Sequence, residues 1–278
     1  MKRLLFSLLV CFFLGCDTIQ NPKDYQPLKL KGSESMHETF ANLASDFERL
    51  QDTIKVELEG GGSRTGLLAI KDQTADIGLS SFPFDLDSIL GENHTIDQRV
   101  VAYDGIVVIN HLDNPIGQLT DDQISNIYSG VVTDWAELGG VSGSIMPVVR
   151  DSNSGTQKFF TQHYNIFELA PTVVVAGENR EIVDSVISNK NSIGFIGYSY
   201  YTAMVKNVEL PALGAKSKDT VAYVAPEPDF INSGQYPLKR SLRIYYEQLP
   251  DKRVMAFLQY LDSDRAKEII ESHGLIIN

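Results

Sequence analysis

Three segments of the sequence place serine, threonine and glycine together in a pattern suited to binding an oxyanion. They are G-S-E-S-M at residues 32–36, G-G-G-S-R-T-G at residues 60–66 and R-D-S-N-S-G-T at residues 150–156. Each lies where a predicted strand leads into a predicted helix. The first turn of a helix carries unsatisfied N–H groups and the positive end of the helix dipole, so it accepts an anion readily. Glycine lets the backbone approach a ligand, and hydroxyl groups add uncharged donors.

No single one of these loops decides the function, because serine and glycine before a helix are also ordinary capping residues. Neither glycine-rich stretch is a P-loop, since no G-K-[ST] follows, and neither forms a dinucleotide-binding G-x-G-x-x-G motif. Three such loops in one chain nevertheless favour an oxyanion site over capping alone. Arg150, which leads the third loop, adds a planar guanidinium that can hold two oxygens at once.

Composition excludes several other functions. The 278 residues carry 24 Lys and Arg against 36 Asp and Glu, a formal net charge of -12, so the field of the chain repels a nucleic acid. The 2 cysteines both lie within the first sixteen residues, which leaves the folded body without a disulfide framework. The 5 histidines show no short metal-ligand spacing. We therefore expect neither a metal nor a cofactor.

The N-terminus has the pattern of an export signal. Lys2 and Arg3 precede an apolar run at residues 4–14, which is too short to span a bilayer and fits a secretory signal. The run ends in F-L-G-C at Cys16, which resembles a bacterial lipobox, with Phe13 where leucine is usual. This resemblance implies a signal peptide at residues 1–15 and a lipidated Cys16 with a tether at 16–27. The alternative is an ordinary signal peptide with a chance cysteine.

The elements that must position the three loops alternate along the chain. Short apolar runs predicted as strands are followed by segments with helical periodicity, which indicates an α/β fold with largely parallel sheets. The run at residues 100–109 is predicted to be a strand buried on both faces. We expect two lobes: residues 28–107 form the first part of lobe 1, residues 108–205 form lobe 2, and residues 206–278 return to lobe 1, each boundary being uncertain by ten residues.

A series of motifs in this sequence resembles PstS-type phosphate-binding proteins of ABC importers. Besides the three loops, the resemblance rests on A-D-I-G-L-S-S at 75–81, D-G-I-V-V-I-N at 104–110, segments within 127–140 and 193–198, and Y-P-L at 236–238. The motifs run in family order from about residue 30 to 245. The resemblance implies a two-lobed type II periplasmic-binding-protein fold with a ligand cleft between the lobes.

The resemblance also implies which residues bind phosphate. Lobe 1 would supply donors from the first two loops and from the strand end at residue 81, and lobe 2 would close over the anion with the third loop. Arg150 would supply the countercharge. The phosphate ligands implied are Ser35, Met36 through its N–H, Ser63, Ser81, Arg150, Ser154, Gly155 and Thr156.

Two positions depart from the family pattern. Some members have Asp where this sequence has Ser81, and that carboxylate accepts the proton of hydrogen phosphate, which sulfate lacks. Asp104 is the nearest substitute acceptor, the alternative being a helix-dipole or hinge partner. Arg64 stands where a small residue is common, either as a second cation or as a side chain that points to solvent.

The sequence therefore predicts a non-enzymatic, lipid-anchored receptor on the periplasmic or cell-surface side of a membrane. It would bind inorganic phosphate as a monomer and deliver it to the permease and ATPase subunits of an ABC importer. One alternative is a binding protein for sulfate, molybdate or tungstate. A phosphatase would need a nucleophile beside a base, or metals, which the motifs do not show. A sensor or adhesion module of the same fold is a further alternative.

Overall fold

The computed structural model describes residues 26–204, 208–209, 211–217 and 220–277. The predicted signal peptide, Cys16 and all but the end of the predicted tether lie outside the described residues. A short 3-10 helix, Trp135–Leu138, lies between α4 and β6. The remaining elements, in chain order, are β1 Leu28–Gly32, α1 Glu34–Leu50, β2 Val56–Glu59, α2 Ser63–Lys71, β3 Ile77–Ser80, α3 Leu86–Leu90, β4 Ile96–His111, β5 Gln118–Thr120, α4 Asp121–Ser129, β6 Met146–Arg150, α5 Gly155–His163, β7 Val174–Ala176, α6 Asn179–Ser188, β8 Ser192–Gly197, α7 Tyr198–Met204, β9 Val208–Glu209, β10 Ala212–Ser217, β11 Thr220–Val224, α8 Pro228–Asn232, β12 Lys239–Glu247, α9 Lys252–Leu261 and α10 Asp264–Ser272.

The strands form one long sheet that both lobes share. Its order is β2-β1-β3-β12-β4-β8-β6-β7, and a smaller sheet has the order β11-β10-β5. The sixteen-residue strand β4 pairs antiparallel with β12 up to Gly105 and antiparallel with β8 from Ile106 onward. We call the β2-to-β4 side lobe 1 and the β4-to-β7 side lobe 2. The change of partner within β4 is thus the junction between the lobes.

The prediction of a largely parallel sheet holds within each lobe but not between them. β1 runs parallel to β2 and β3, and β6 runs parallel to β7 and β8. β12 and β4, which join these two parallel groups, pair antiparallel with their neighbours. Strand β4 is fully buried from Asp104 to Asn110, whereas Val100 is exposed, so burial on both faces is confined to the second half of the predicted strand.

Lobe 1 packs helices α1, α9 and α10 against its strands through an aromatic core. Phe47 meets Phe257 edge-on with ring centres 5.2 Å apart, and Tyr260 lies 5.4 Å from Phe47. Leu28 and Leu30 of β1 lie in the same core. Helix α1 presents its apolar face at spacings of three and four residues, as its sequence periodicity predicts. This packing fixes the start of α1 at the end of β1, where the first predicted loop lies.

Lobe 2 has a core of its own. Phe160 of α5 stacks on Phe195 of β8 with ring centres 3.8 Å apart. Strand β9 pairs with the end of β4, β10 pairs with β5, and Tyr236 donates from its hydroxyl to the Ile106 carbonyl oxygen at 3.0 Å. The described residues between 208 and 238 therefore belong with lobe 2. The return to lobe 1 is expected at residue 206, and β12, the strand that pairs with β3 of lobe 1, begins at Lys239.

Arg253 of α9 fastens the beginning of β1. Its Nη1 donates to the carbonyl oxygens of Gln26 at 3.3 Å and Pro27 at 2.5 Å, and its Nη2 pairs with Asp76 at 2.9 Å. Asp76 also accepts from the Lys29 N–H at 2.8 Å.

Among the residues that the structure describes, no helix has the length and apolar character needed to cross a membrane.

Candidate functional site

The first predicted loop turns its serines toward the ends of neighbouring strands. Gly32 has a φ of +144°, and a Cβ on it would stand 2.2 Å from the Leu79 carbonyl oxygen, so only glycine fits where β1 enters α1. Ser33 forms no side-chain cap for α1, and its Oγ donates instead to Ser81 Oγ at 3.0 Å. The Met36 N–H donates to the Ser33 carbonyl oxygen at 3.1 Å. The predicted Met36 donor is thus used within its own turn.

The second loop completes a group of three buried hydroxyls. Ser63, the first residue of α2, is fully buried. Its Oγ accepts from the Ser81 N–H at 3.0 Å and lies 3.2 Å from Ser81 Oγ. We call Ser33, Ser63 and Ser81 the serine cluster. It lies where β1 and β3 end and where α1 and α2 begin, so the positive ends of two helix dipoles meet three hydroxyls.

The third loop brings lobe 2 against the serine cluster. A Cβ on Gly155 would stand 2.2 Å from Ser63 Oγ and 2.7 Å from Ser81 Oγ, so the start of α5 lies directly on these hydroxyls. The N–H of Arg64 also donates to the Asn153 carbonyl oxygen across the lobes at 3.2 Å. Loops from both lobes thus lie together in the structure, which is the arrangement that the sequence predicts.

Ser154 and Thr156 flank Gly155 and have different contacts. Ser154 caps α5, its Oγ accepting from the Gln157 N–H at 3.3 Å. Thr156 Oγ1 lies 3.0 Å from Ser35 Oγ in a hydrogen bond between the lobes. The Ser35–Thr156 pair is almost fully buried, which gives the site a fourth and a fifth hydroxyl beside the serine cluster.

Arg240 is the functional candidate that the sequence analysis missed. This residue of β12 is 1% exposed; its Nη1 donates to Thr156 Oγ1 at 2.7 Å, and its Nη2 pairs with Asp104 Oδ2 at 2.8 Å. The sequence does contain a signal that could have identified Arg240. Along β12 it occupies the same alternating positions as Leu242 and Ile244, which are on the buried face of the strand. A charged residue on that face needs a partner, and Asp104, fully buried in β4, lies directly opposite in the register.

Asp104 holds Arg240 and contacts lobe 2 at the same time. Its Oδ1 accepts from the Ser199 N–H at 3.1 Å, while Oδ2 pairs with Arg240. The predicted proton acceptor therefore reaches the hydroxyls through Arg240. This geometry matches the alternative that the sequence left open, a partner at the hinge.

The two arginines that were singled out in the sequence, Arg150 and Arg64, differ in burial and in contacts. Arg150 Nη2 donates to the Gly177 carbonyl oxygen at 2.6 Å and its Nη1 to Asn179 Oδ1 at 3.1 Å, so its fork is turned to the loop before α6. Burial lowers the pKa of Arg150, and the nearby Asp151 carboxylate, 3.7 Å away, opposes that effect. The side chain of Arg64 is exposed. The Arg150 orientation depends on β7 lying beside β6, which sequence spacing does not reveal.

The assembled site can hold an anion with neutral donors and one buried cation. Each hydroxyl donates or accepts, so the hydrogen bonds that now join hydroxyl to hydroxyl can be exchanged for bonds to anionic oxygens. A serine becomes a nucleophile beside an activating base, whereas here the Asp104 carboxylate is engaged by Arg240. Within the described part of the chain no group of three or more His, Cys, Asp and Glu side chains could hold a metal ion.

Comparison with known proteins identifies the family. Residues 18–265 match the family PBP_like_2, described as a PBP superfamily domain. The chain belongs to the PBP superfamily. The phosphate-binding protein PstS of Borreliella burgdorferi is 24% identical over 283 residues, covering 98% of this chain and 96% of its own length. PstS of Pseudomonas aeruginosa is 27% identical over 270 residues, covering 88% of this chain and 81% of its own.

Solved structures of this superfamily have the same fold. A putative phosphate ABC transporter substrate-binding protein with bound phosphate from Clostridium perfringens superposes with a TM-score of 0.81 at 26% identity, covering 91% of this chain and 100% of that one. An ABC-type phosphate transport receptor from Vibrio cholerae superposes with a TM-score of 0.73 at 26% identity, covering 90% and 100%. The predicted PstS-type resemblance and type II periplasmic fold are confirmed. Relatives named as binding and transport proteins support the non-enzymatic class.

Proposed function

We propose that the chain binds inorganic phosphate between its two lobes as the solute-binding component of an ABC phosphate importer. The observation that carries this proposal is the buried guanidinium of Arg240 beside hydroxyls contributed by both lobes. The PstS relatives and the phosphate-bound structure from Clostridium perfringens support the same ligand. Serine and threonine hydroxyls with one arginine match the many oxygens of a small tetrahedral anion.

The affinity must arise from local contacts, since the formal net charge of -12 repels phosphate at long range. Salt screens that field beyond about 8–10 Å. Each hydrogen bond to a charged group contributes roughly 1.5–3 kcal/mol, and desolvation together with lobe closure offsets most of the sum. Pre-aimed donors in a buried cleft meet this requirement.

Ligand binding would favour the closed arrangement of the lobes. The serine cluster and Arg240 belong to lobe 1, whereas Gly155 and Thr156 belong to lobe 2. An anion between them contacts both sets of donors only when the lobes are together. Its differential contacts therefore stabilise closure, and a permease could recognise the loaded receptor by that shape.

The N-terminal residues supply the proposed location. We propose that Cys16 is acylated and anchors the protein, as a monomer, on the periplasmic or cell-surface side, from where it delivers phosphate to permease and ATPase subunits. The F-L-G-C motif supports this anchor. Radiolabelled palmitate should be incorporated into the full-length chain expressed in a bacterium and not into Cys16→Ser. Labelling of both chains, or of neither, would reject the anchor.

Calorimetric titration of the purified protein tests the ligand. We expect phosphate to bind one to one and sulfate to bind more weakly. Heat is the appropriate signal, because Trp135 lies in the lobe 2 core with its Nε1 bonded to the Asn191 carbonyl oxygen, away from the serine cluster. An absence of phosphate binding would reject the proposal.

A receptor for sulfate, molybdate or tungstate is the second candidate. It is favoured by one observation, the presence of a hydroxyl at Ser81 inside the serine cluster where a carboxylate would exclude an unprotonated anion. Titration with each of these anions separates the candidates, and tighter binding of any of them than of phosphate would select this one.

A further inference from the structure

The end of lobe 1 that is remote from the serine cluster is built from the links between its strands and helices. Strands β1, β2 and β3 run parallel and end on the side of the serine cluster, so all three start at this remote end. The antiparallel strand β12 ends there, and the chain then enters α9. The Leu28 N–H donates to the Lys55 carbonyl oxygen at 2.7 Å, which joins neighbouring links. We call this surface the base of lobe 1, and it comprises residues 26–29, 50–55, 71–76 and 247–253.

Leu249 is an apolar side chain that the base of lobe 1 holds in solvent, at 95% exposure. Its loop is fixed on both sides, because the Gln248 N–H donates to the Thr95 carbonyl oxygen at 2.7 Å and Asp251 accepts from N–H groups in the first turn of α9. Pro250, between them, has a fixed φ. Transfer of a leucine side chain from water to an apolar medium is favoured by roughly tenfold or more, and a loop that is already ordered loses little entropy on transfer.

Two shallow hollows connect Leu249 to the point where the chain enters β1. One hollow is lined by Leu249 and Pro250, and the next is lined by Gln26 and Pro27. Both hollows include the same residues of the link between α2 and β3, which are Gln73, Ala75 and Asp76. Leu249 and the first described residues therefore belong to one continuous surface.

The base of lobe 1 is electrically balanced in an otherwise acidic chain. Its five cations equal its five anions in number, so the formal net charge of -12 arises elsewhere in the sequence. The cations are Lys29, Lys55, Lys71, Lys252 and Arg253, and the anions are Asp52, Asp72, Asp76, Glu247 and Asp251. A negatively charged bilayer surface therefore repels the base less than it repels the rest of the chain.

The N-terminal sequence limits the distance between the base and a membrane anchor. Cys16 precedes Gln26 by ten residues, which span at most about 35 Å when fully extended. An acylated Cys16 would therefore keep the bilayer within that distance of the base, at a high effective concentration. Phe167 is equally exposed, at 95%, but it follows α5, which leads about 13 Å away from the serine cluster on the lobe 2 side. The base, unlike Phe167, is thus next to the anchored segment.

We propose that the base of lobe 1 rests on the lipid surface, with Leu249 inserted between the lipid headgroups. This proposal rests on the proposed acylation of Cys16 and is independent of which anion the protein binds. The exposed Lys71 and Lys252 contact the lipid phosphates, and Leu50, 58% exposed at the end of α1, adds apolar surface. The acyl chains supply the attachment, and the base gives the attached receptor a single orientation.

Tryptophan substitution combined with brominated lipids tests this contact. The full-length acylated chain is purified in detergent and reconstituted into vesicles of phosphatidylethanolamine and phosphatidylglycerol, with and without bromine near the top of the acyl chains. An interfacial side chain lies about 5–10 Å into the headgroup boundary, so brominated lipid should quench at least about half of the emission added by Leu249→Trp. Phe167→Trp, the matched control with the same exposure, should not be quenched. The buried Trp135 gives a constant background that the wild type measures.

The contribution of Leu249 itself is measured with a neighbouring reporter, Gln248→Trp, at an exposed position. This reporter should be quenched in the otherwise unchanged chain. Adding Leu249→Asp should abolish the quenching, since a carboxylate is excluded from an apolar layer. Persistent quenching would reject the insertion of Leu249. The Leu249→Asp chain should keep the wild-type melting temperature and phosphate affinity, because the base is remote from the serine cluster, and this comparison shows that the variant is folded.

The quenching results decide between lipid and other partners of the base. Quenching of Leu249→Trp alone supports the proposal, whereas no quenching, or equal quenching of Leu249→Trp and Phe167→Trp, would overturn it. A blue shift of the Leu249→Trp emission without quenching would also overturn it, because a protein surface, such as a second copy of the chain, would then cover this face. Failure of palmitate to label Cys16 would reject the anchor and this orientation together, whereas an acylated chain without quenching rejects the orientation alone.

Discussion

Lys158 of lobe 2 places its Nζ 4.8 Å from the centre of the Phe82 ring in lobe 1, and the Phe84 ring lies at the same distance. The two rings meet edge-on with centres 5.0 Å apart, and Phe159 packs against the same group. Lys158 follows by a few residues the start of α5, which forms part of the proposed site. These contacts join the two lobes beside the proposed site. They therefore stabilise the closed arrangement of the lobes and are absent when the lobes separate.

Removing the charge of Lys158 should therefore weaken ligand binding without affecting either lobe. A partly exposed cation–π contact contributes about 0.5–1 kcal/mol, so Lys158→Met should weaken phosphate affinity by roughly two- to five-fold. Lys158→Arg, which keeps a cation over the rings, is the matched control and should bind nearly as the wild type does. Titration calorimetry measures both, and equal affinity of Lys158→Met and wild type would contradict the prediction.

A methyl group at Gly155 should prevent close approach of the lobes. Its Cβ would stand 2.2 Å from Ser63 Oγ, and overpacking of this kind costs typically 1–3 kcal/mol. Gly155→Ala should weaken phosphate binding by roughly 5- to 150-fold with little change in the melting temperature. In the control Gly117→Ala, the added Cβ meets nothing within 4 Å. Wild-type affinity in Gly155→Ala would show that the start of α5 does not contact the ligand.

Asp46 should make lobe 1 sensitive to acid. Arg265 bonds both carboxylate oxygens of this buried residue, at 2.6 and 2.7 Å, and Tyr260 donates to it at 3.0 Å. The Arg265 hydrogen bonds are the main cause that lowers the pKa of Asp46 from 3.8 to about 2. The pKa of Asp46 is lower in the folded chain than in the unfolded chain, so the ionised carboxylate stabilises the fold above pH 4. This stabilisation is lost as the pH falls toward 2.

Urea unfolding at a series of pH values measures this contribution. Asp46→Asn should lower the free energy of unfolding at pH 7 by about 2 kcal/mol, the size of a hydrogen bond to a charged group. The difference from wild type should shrink between pH 4 and pH 2. Asp264→Asn, at a fully exposed position, serves as the control. A difference that stays constant over this pH range would contradict the assigned pKa.

The single tryptophan should not report ligand binding. Trp135 is 2% exposed in the lobe 2 core, and the proposed site lies elsewhere. Phosphate should leave the Trp135 emission unchanged, whereas Phe159→Trp, next to the Phe82 and Phe84 rings, should change its emission on closure. A large phosphate-dependent change in wild-type emission would mean that the lobe 2 core rearranges.

The positions of the serine-bearing loops could be predicted from the sequence because the signals are local. Glycine and serine between a strand and a helix mark each loop, and parallel strands bring such loops to one edge of a sheet. The Ser35–Thr156 contact and the position of Gly155 against Ser63 follow this pattern. The α/β class was predicted from the alternation of strand and helix signals in the same way.

The contacts that sequence analysis missed depend on pairing between distant segments. Arg240 lies among the hydroxyls because β12 pairs with β4 about 136 residues away, and no spacing within either strand reveals this. Arg150 turns toward Asn179 because β7 lies beside β6. The pairing of β10 with β5 likewise joins segments that are almost a hundred residues apart.

The hydrogen bond from Arg253 to the Pro27 carbonyl oxygen would have a mechanical consequence in a chain anchored through Cys16. Strand β1 runs from the residue after Pro27 to Gly32 at the proposed site, and its five extended residues span roughly 15 Å. A membrane anchor at Cys16 would therefore connect to lobe 1 at the end of β1 that is remote from the proposed phosphate site. With Cys16 acylated as proposed, lobe 1 would be held near the bilayer and lobe 2 would be the half that moves, so a transporter that distinguishes loaded from empty receptors would sense the movement of lobe 2.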